Sequence, residues 1–268
     1  MAPILLLGGA FQDMYSWRRH EEVLVRHADV VTVDLPGWGG ADHLPADVGV
    51  DFLVDTAAHA LDQLGVRRVN VAGCSYGSLI AHRLAQRYPE RVLRLALNGV
   101  ATGLTADEQR RLSDLVRSLP GRDAREFAET VTARLSPTLP GRPVRRGDVI
   151  RQLLVAHLSD MTADARRKFV SNTMRLCTSV LVHAHPAPPV PTVMFTGADD
   201  TFTPPEHGHR LAQVYPHATC VTIAEADHLL LLQRDAEFCE LLITHFGGGR
   251  MADLPFCLPC PRGHQEDD

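Results

Sequence analysis

The chain has 268 residues, enough for one domain of ordinary size with an inserted subdomain. A hydrophobic fraction of 45% and a charged fraction of 22% exclude a disordered or fibrous chain. Acidic residues outnumber Lys and Arg by 32 to 27, so the net charge of −5 argues against non-specific nucleic-acid binding.

Short apolar runs alternate with longer helical stretches. Ile4–Leu7 reads as a strand broken by Gly8-Gly9, and residues 14–27 as a helix. Residues 30–35 are β-branched and apolar, a buried strand that ends in the turn-rich Asp34-Leu35-Pro36-Gly37-Trp38-Gly39-Gly40. Residues 52–64 carry apolar side chains at three- and four-residue steps and predict a helix stopped by Gly65. Residues 68–72 read as a strand, 78–88 as a helix ended by Pro89, and 92–97 as a strand. Apolar strands separated by helices imply a mostly parallel sheet with helices on both faces.

The alternation then stops. Residues 106–119, 124–135, 149–158 and 163–182 read as helices only, and Pro186-Ala187-Pro188-Pro189 closes the block. Strand–helix alternation resumes with 192–195, 206–214, 219–223 and 235–245. The expected division is a core of residues 1–102 and 187–246, an all-helical cap over 103–186, and a flexible tail over 247–268. An inserted cap belongs over the carboxyl ends of the strands, where open sheets bind ligands.

The strongest chemical signal is Gly73-Cys74-Ser75-Tyr76-Gly77, between a predicted strand and a predicted helix. That context suits a nucleophile elbow, a strained turn that projects a serine hydroxyl from the top of a sheet. A serine needs a base, and the base needs an acid to orient it. Gly197-Ala198-Asp199-Asp200 follows one later strand and Glu225-Ala226-Asp227-His228 follows the next, so acid and base fall on the sheet edge that carries Ser75.

With these motifs the chain resembles the α/β-hydrolase family from about Ile4 to Phe246. The resemblance rests on Asp34-Leu35-Pro36-Gly37-Trp38-Gly39, Gly73-Cys74-Ser75-Tyr76-Gly77, Gly197-Ala198-Asp199-Asp200 and His228. It implies Ser75 as nucleophile, His228 as general base and Asp200 as the orienting acid, with Asp199 the competitor for that place. It also implies oxyanion donors from the backbone N–H groups of Tyr76 and Ala10, with Phe11 the alternative to Ala10. Many members carry His-Gly where this chain has Gly8-Gly9, which leaves the anchoring of that loop open. The chain begins at the oxyanion strand, so the expected sheet is a trimmed one of about six strands.

A serine nucleophile favours an acyl-enzyme formed from an ester, thioester or amide. The expected substrate is a small or medium-sized hydrophobic acyl compound, with Phe11 and Phe202 as candidates to line its pocket. Asp200-Thr201-Phe202-Thr203 with Glu206, then Val214-Tyr215-Pro216-His217, is similar to the matching stretch of bacterial acyltransferases that condense 3-hydroxyacyl chains on acyl carrier protein. An acyl carrier is therefore a candidate partner, and acyl transfer or a lyase reaction on the same residues are alternatives to hydrolysis. A small-molecule binding protein on a disabled hydrolase scaffold is the non-enzymatic alternative.

Other signals favour ordinary explanations. No apolar run reaches the ~18–20 residues of a membrane helix, and no basic residue precedes the apolar start. No membrane partner and a cytoplasmic location are expected. The six cysteines are scattered, which suggests reduced thiols. Lys168 is the only lysine, so Schiff-base chemistry is disfavoured. Cys257-Leu258-Pro259-Cys260 has half-site spacing for zinc but only His264 nearby, and the His-x-His pairs at 183/185 and 207/209 lack further ligands. No metal or cofactor is expected. The basic runs at 110–111, 145–146 and 166–168 read as solvated cap faces.

Overall fold

A computed structural model describes residues 1–100, 105–178 and 186–259. Seven strands form one sheet: β1 (Ile4–Leu7), β2 (Val30–Thr32), β3 (Val69–Cys74), β4 (Val92–Asn98), β5 (Thr192–Gly197), β6 (Ala218–Ile223) and β7 (Cys257–Pro259). Their order is β2-β1-β3-β4-β5-β6-β7. All neighbours pair in parallel except β7, which runs antiparallel to β6. β1, β3 and β5 are buried along their whole length, as a parallel sheet covered on both faces requires.

The helices are α1 (Arg18–Leu24), α2 (Val50–Gln63), α3 (Tyr76–Arg87), α4 (Ala106–Ser118), α5 (Ala124–Leu135), α6 (Gly147–Ser159), α7 (Ala163–Thr178), α8 (Pro205–Ala212), α9 (Leu230–Gln233) and α10 (Asp235–Phe246). Two apolar clusters sandwich the sheet. One gathers Leu5, Leu7, Val71 and Leu97 with α2 and α3. The other gathers Ile4, Leu6, Val193 and Ile223 with Trp17 and α10. Alternate residues of β1 therefore serve opposite faces.

α4 to α7 lie between β4 and β5. Phe127, Val131, Ile150, Leu154 and Phe169 form a third cluster, which Leu229 joins from the core. α7 is also pinned by Arg175, which is 1% exposed. Its guanidinium donates to the carbonyls of Val48, Leu44 and Pro45 at 2.6, 2.9 and 2.7 Å and to Asn172 Oδ1 at 2.7 Å. A buried cation is tolerable here because these acceptors replace water.

Several boundaries differ from the sequence expectation. The sheet has seven strands rather than about six. The additional strand, β7, lies in the stretch expected to be a flexible tail. Met251 and Leu254 are buried in the second core cluster, which holds the chain in register for Cys257–Pro259 to pair with β6. β2 stops at Thr32, and just beyond it the Asp34 carboxylate accepts from Met14 N–H at 2.7 Å and Gly40 N–H at 2.8 Å. The helix expected over 14–27 opens with a 3-10 turn at Met14–Trp17, where the Asp13 side chain accepts from Tyr15 N–H. The end of the helix expected at 163–182, the His183/His185 pair, Cys260 and His264 lie outside the described residues. No described helix is long and apolar enough to cross a membrane.

His245 makes stability sensitive to acid. Burial, reinforced by the nearby Arg94 charge, pushes its imidazole down to about 4. The unfolded chain takes up that proton near pH 6.5 and the folded chain only near pH 4. Stability therefore falls as pH drops through that window, by about 3 kcal/mol from this group. His20 and His207, also held below the usual value by burial, act in the same direction. Denaturant midpoints measured between pH 7 and pH 4 should fall steadily, and His245→Gln should flatten the slope. An equal slope in the variant would reject this assignment.

Candidate active site

β1 and β3 are neighbours whose onward connections run to opposite sides of the sheet. This is a topological switch point, the place where open α/β sheets form a crevice. In a parallel arrangement the carboxyl ends of β1, β3, β5 and β6 share one edge. The loops leaving them carry Gly9-Ala10, Ser75, Asp200 and His228.

Ser75 sits at φ 53° and ψ −117°, a conformation side-chain-bearing residues rarely adopt. The elbow persists because its neighbours leave no alternative. Ser75 N–H donates to the Asn98 carbonyl at 2.8 Å, and Ser78 Oγ–H donates to the Ser75 carbonyl at 2.6 Å. A Cβ at Gly73 would lie 2.3 Å from the Gly77 carbonyl oxygen, and one at Gly77 would lie 2.1 Å from that of Leu7. Both glycines are thus demanded by close backbone approach.

The Ser75 hydroxyl lies 2.9 Å from His228 Nε2, and His228 Nδ1 lies 2.9 Å from Asp200 Oδ2. These three residues are 153 and 28 positions apart in pairs, so only the fold unites them. Asp200 is 3% exposed. Burial alone would push its carboxyl up. The His228 charge and hydrogen bond, the Thr196 hydroxyl and the Thr203 N–H outweigh that and hold it below the usual carboxylate value. Its Oδ2 accepts from Thr196 and Thr203 hydroxyls at 2.6 and 2.7 Å, and its Oδ1 accepts from Phe202 and Thr203 N–H at 2.8 Å each. Asp199 points elsewhere, toward Arg142 at 3.6 Å. The carboxylate of Asp227, beside His228, is also engaged elsewhere, by Ser136 Oγ at 2.5 Å, Gln233 Nε2 at 2.7 Å and Leu229 N–H at 2.9 Å.

The loop after β1 carries Gly8-Gly9 and is anchored through Gln12 and Trp38. Gly9 N–H donates to Gln12 Oε1 at 2.7 Å, and Trp38 Nε1–H donates to the Gly9 carbonyl at 2.8 Å. Gly9 lies close to the elbow: a Cβ there would be 3.6 Å from Ser75 Cβ. Tyr76 opens α3, so its backbone N–H has no acceptor within the helix. Cys74 is inert by comparison, because burial pushes its thiol up to about 12.

Ser75 and His228 open into a cavity of about 550 Å³. Ala10, Phe11, Tyr76 and Phe202 line it, together with Leu112 and Leu119 from the α4 segment, Leu154 from α6 and Phe169 from α7. Phe202 meets the His228 ring edge-on at 4.8 Å. That volume fits a small-molecule ligand. Sequence reasoning missed Thr196, Thr203, Gln12 and Trp38. The available signals were the nearness of Thr196 and Thr203 to Asp200 and of Gln12 to Gly9, and the place of Trp38 in the motif over 34–39.

The model of the alpha/beta hydrolase fold family matches residues 2–235. The chain belongs to that family. It is an enzyme of the alpha/beta hydrolase fold. A poly(3-hydroxyalkanoate) depolymerase of Ectopseudomonas oleovorans is 26% identical over 92% of this chain and 84% of its own length. A pimeloyl-[acyl-carrier protein] methyl ester esterase of Chromobacterium violaceum is 28% identical over 87% of this chain and 92% of its own. A hydrolase from Pseudomonas aeruginosa superposes with a TM-score of 0.78 at 22% identity, covering 92% of this alpha/beta hydrolase and 90% of the other chain.

Proposed function

We propose that the protein is a Ser-His-Asp acyl hydrolase acting on an ester or thioester of a small or medium-sized hydrophobic acyl group. The supporting observation is the relay of two 2.9 Å contacts, Ser75 to His228 and His228 to Asp200, at the wall of a largely apolar cavity. The esterase and depolymerase relatives are consistent with ester cleavage. Helices α4 to α7 act as the cap that selects the acyl group, and an acyl carrier is a candidate partner on the strength of the esterase relative.

In this reading His228 Nε2 takes the Ser75 proton as Oγ attacks the acyl carbon. Asp200 accepts from Nδ1–H, which fixes the tautomer and stabilises the imidazolium that forms. The backbone N–H groups of Tyr76 and Ala10 donate to the developing oxyanion. His228 then protonates the departing oxygen or sulfur. Water, deprotonated by the same imidazole, attacks the acyl-Ser75 ester and releases the acid.

A fluorophosphonate probe tests this directly. Stoichiometric labelling, with the adduct mapped to Ser75 by peptide mass spectrometry and absent in His228→Ala, is the expected result. A folded, unlabelled wild type would move the small-molecule binding reading ahead.

A further inference from the structure

The interior of the cavity is apolar, but its solvent-facing rim is not. Arg18, Arg19, Arg134 and Arg146 line it and are exposed. Among the described ionisable groups of the lining, Asp235 is the sole carboxylate, and it stands 3.8 Å from Arg146. No ion pair joins Arg18, Arg19 or Arg134 to a described residue. Arg134 instead lies over the Phe202 ring, 5.2 Å from its centroid, and Phe202 touches His228. Among the other described arginines about half pair with carboxylates, as Arg83 and Arg87 do with Asp51 and Asp55. Three such cations without a carboxylate partner, gathered at one opening with Arg146, give that opening a local positive charge on a chain of net charge −5.

We propose that this rim recognises an anionic leaving group, so that the preferred substrates are acyl thioesters or esters whose departing thiol or alcohol carries phosphate or carboxylate. The inference rests on the acyl-hydrolase reading above and narrows it. A carboxylate pushed into the leucine- and phenylalanine-lined interior would lose its water without gaining a partner. The acyl chain belongs inside, and the charge belongs on the half of the substrate that remains at the rim. Guanidinium groups suit it, because they grip carboxylate and phosphate oxygens in pairs. The chemistry is unchanged. The acyl C–S bond breaks as the acyl C–O bond to Ser75 forms, the departing sulfur takes its proton from His228, and water completes hydrolysis.

The test compares three octanoyl thioesters on the full chain: octanoyl-coenzyme A, S-octanoyl-mercaptosuccinate and neutral S-octanoyl-N-acetylcysteamine. The readout is the ratio of kcat/KM for each charged thioester to that for the neutral one. For at least one charged thioester the wild-type ratio should exceed about ten at low salt and fall severalfold at high salt, as field-guided binding does. Arg18→Glu combined with Arg19→Glu should lower it about tenfold or more, while Arg18→Lys with Arg19→Lys should retain most of it. Preference for the coenzyme thioester identifies phosphate as the anion, and preference for the mercaptosuccinate identifies carboxylate. A ratio near one, or one that neither salt nor the charge-reversed variant changes, overturns the proposal. So does a preference for charge on the acyl half, read with a monomethyl dicarboxylate against a neutral methyl ester. Phosphonate labelling of the same preparations separates the two levels. Labelled enzyme without charge preference removes this inference alone, and unlabelled, inactive enzyme removes the hydrolase reading with it.

Discussion

Ser75→Ala will lower kcat on a medium-chain acyl ester by about 10⁵–10⁶-fold, because nucleophile and base act as one unit. His228→Ala will cost a similar factor, and the double variant little more than either single one. The informative contrast lies in the two adjacent aspartates. Asp200→Asn will reduce kcat by about 10⁴-fold, since an amide there cannot hold the tautomer that leaves Nε2 free to take a proton. Asp199→Asn will change turnover by no more than about fivefold, the scale of a surface ion pair worth ~1 kcal/mol or less. Asp200 is 3% exposed and touches His228 Nδ1, whereas Asp199 faces Arg142 at 3.6 Å. Steady-state kinetics on the four single variants and the double variant decide the matter. A larger loss at Asp199 than at Asp200 would reassign the acid.

Gly77→Ala will be the most destabilising single-methyl substitution in the elbow. The added Cβ would sit 2.1 Å from the Leu7 carbonyl oxygen and 2.7 Å from that of Gly8. Neither can yield cheaply. Leu7 is paired in β1 with Gly73, and the Gly9 carbonyl next along is held by Trp38. Relief requires α3 to move off the sheet, which breaks the packing of Leu79, Ile80 and Ala81 in the first core cluster. The expected cost is at least about 3 kcal/mol, seen as a fall in Tm of about 10 °C or as loss of soluble protein. Gly121→Ala is the control, because a Cβ there meets nothing within 4 Å. Thermal unfolding of the two variants side by side measures the difference. An unchanged Tm for Gly77→Ala would mean that the close approach of helix and strand is not required.

The elbow is legible in the sequence because its information is local. Five consecutive residues between a strand and a helix state both the reactive hydroxyl and the missing side chains that let it stand there. The alternation of apolar strands with helices likewise predicts a parallel sheet, and a parallel sheet places its carboxyl ends along one edge. That is why Ser75, Asp200 and His228 are readable as a set from their positions after three strands.

The choice between Asp199 and Asp200 is not local in that sense. The two are adjacent and chemically identical, and only the direction each side chain takes separates them. The hydrogen bonds of Asp200 to Thr196, Thr203 and His228 set that direction, and the last spans 28 positions. The anchoring of the Gly9 loop needs Trp38, 29 positions away. β7 is hidden because a three-residue edge strand carries little pattern of its own, and its pairing depends on Met251 and Leu254 reaching the core. The arginine rim is invisible for the same reason, as its members come from α1, α5 and the start of α6. The sequence by itself determined the fold class and singled out Ser75, with Asp200 and His228 after later strands, as a candidate set, because turn sterics and hydrophobic period act within a few residues. The tertiary structure alone decided which carboxylate contacts the histidine, what holds the loop after β1 and where charge gathers, because those depend on contacts between segments far apart in the chain.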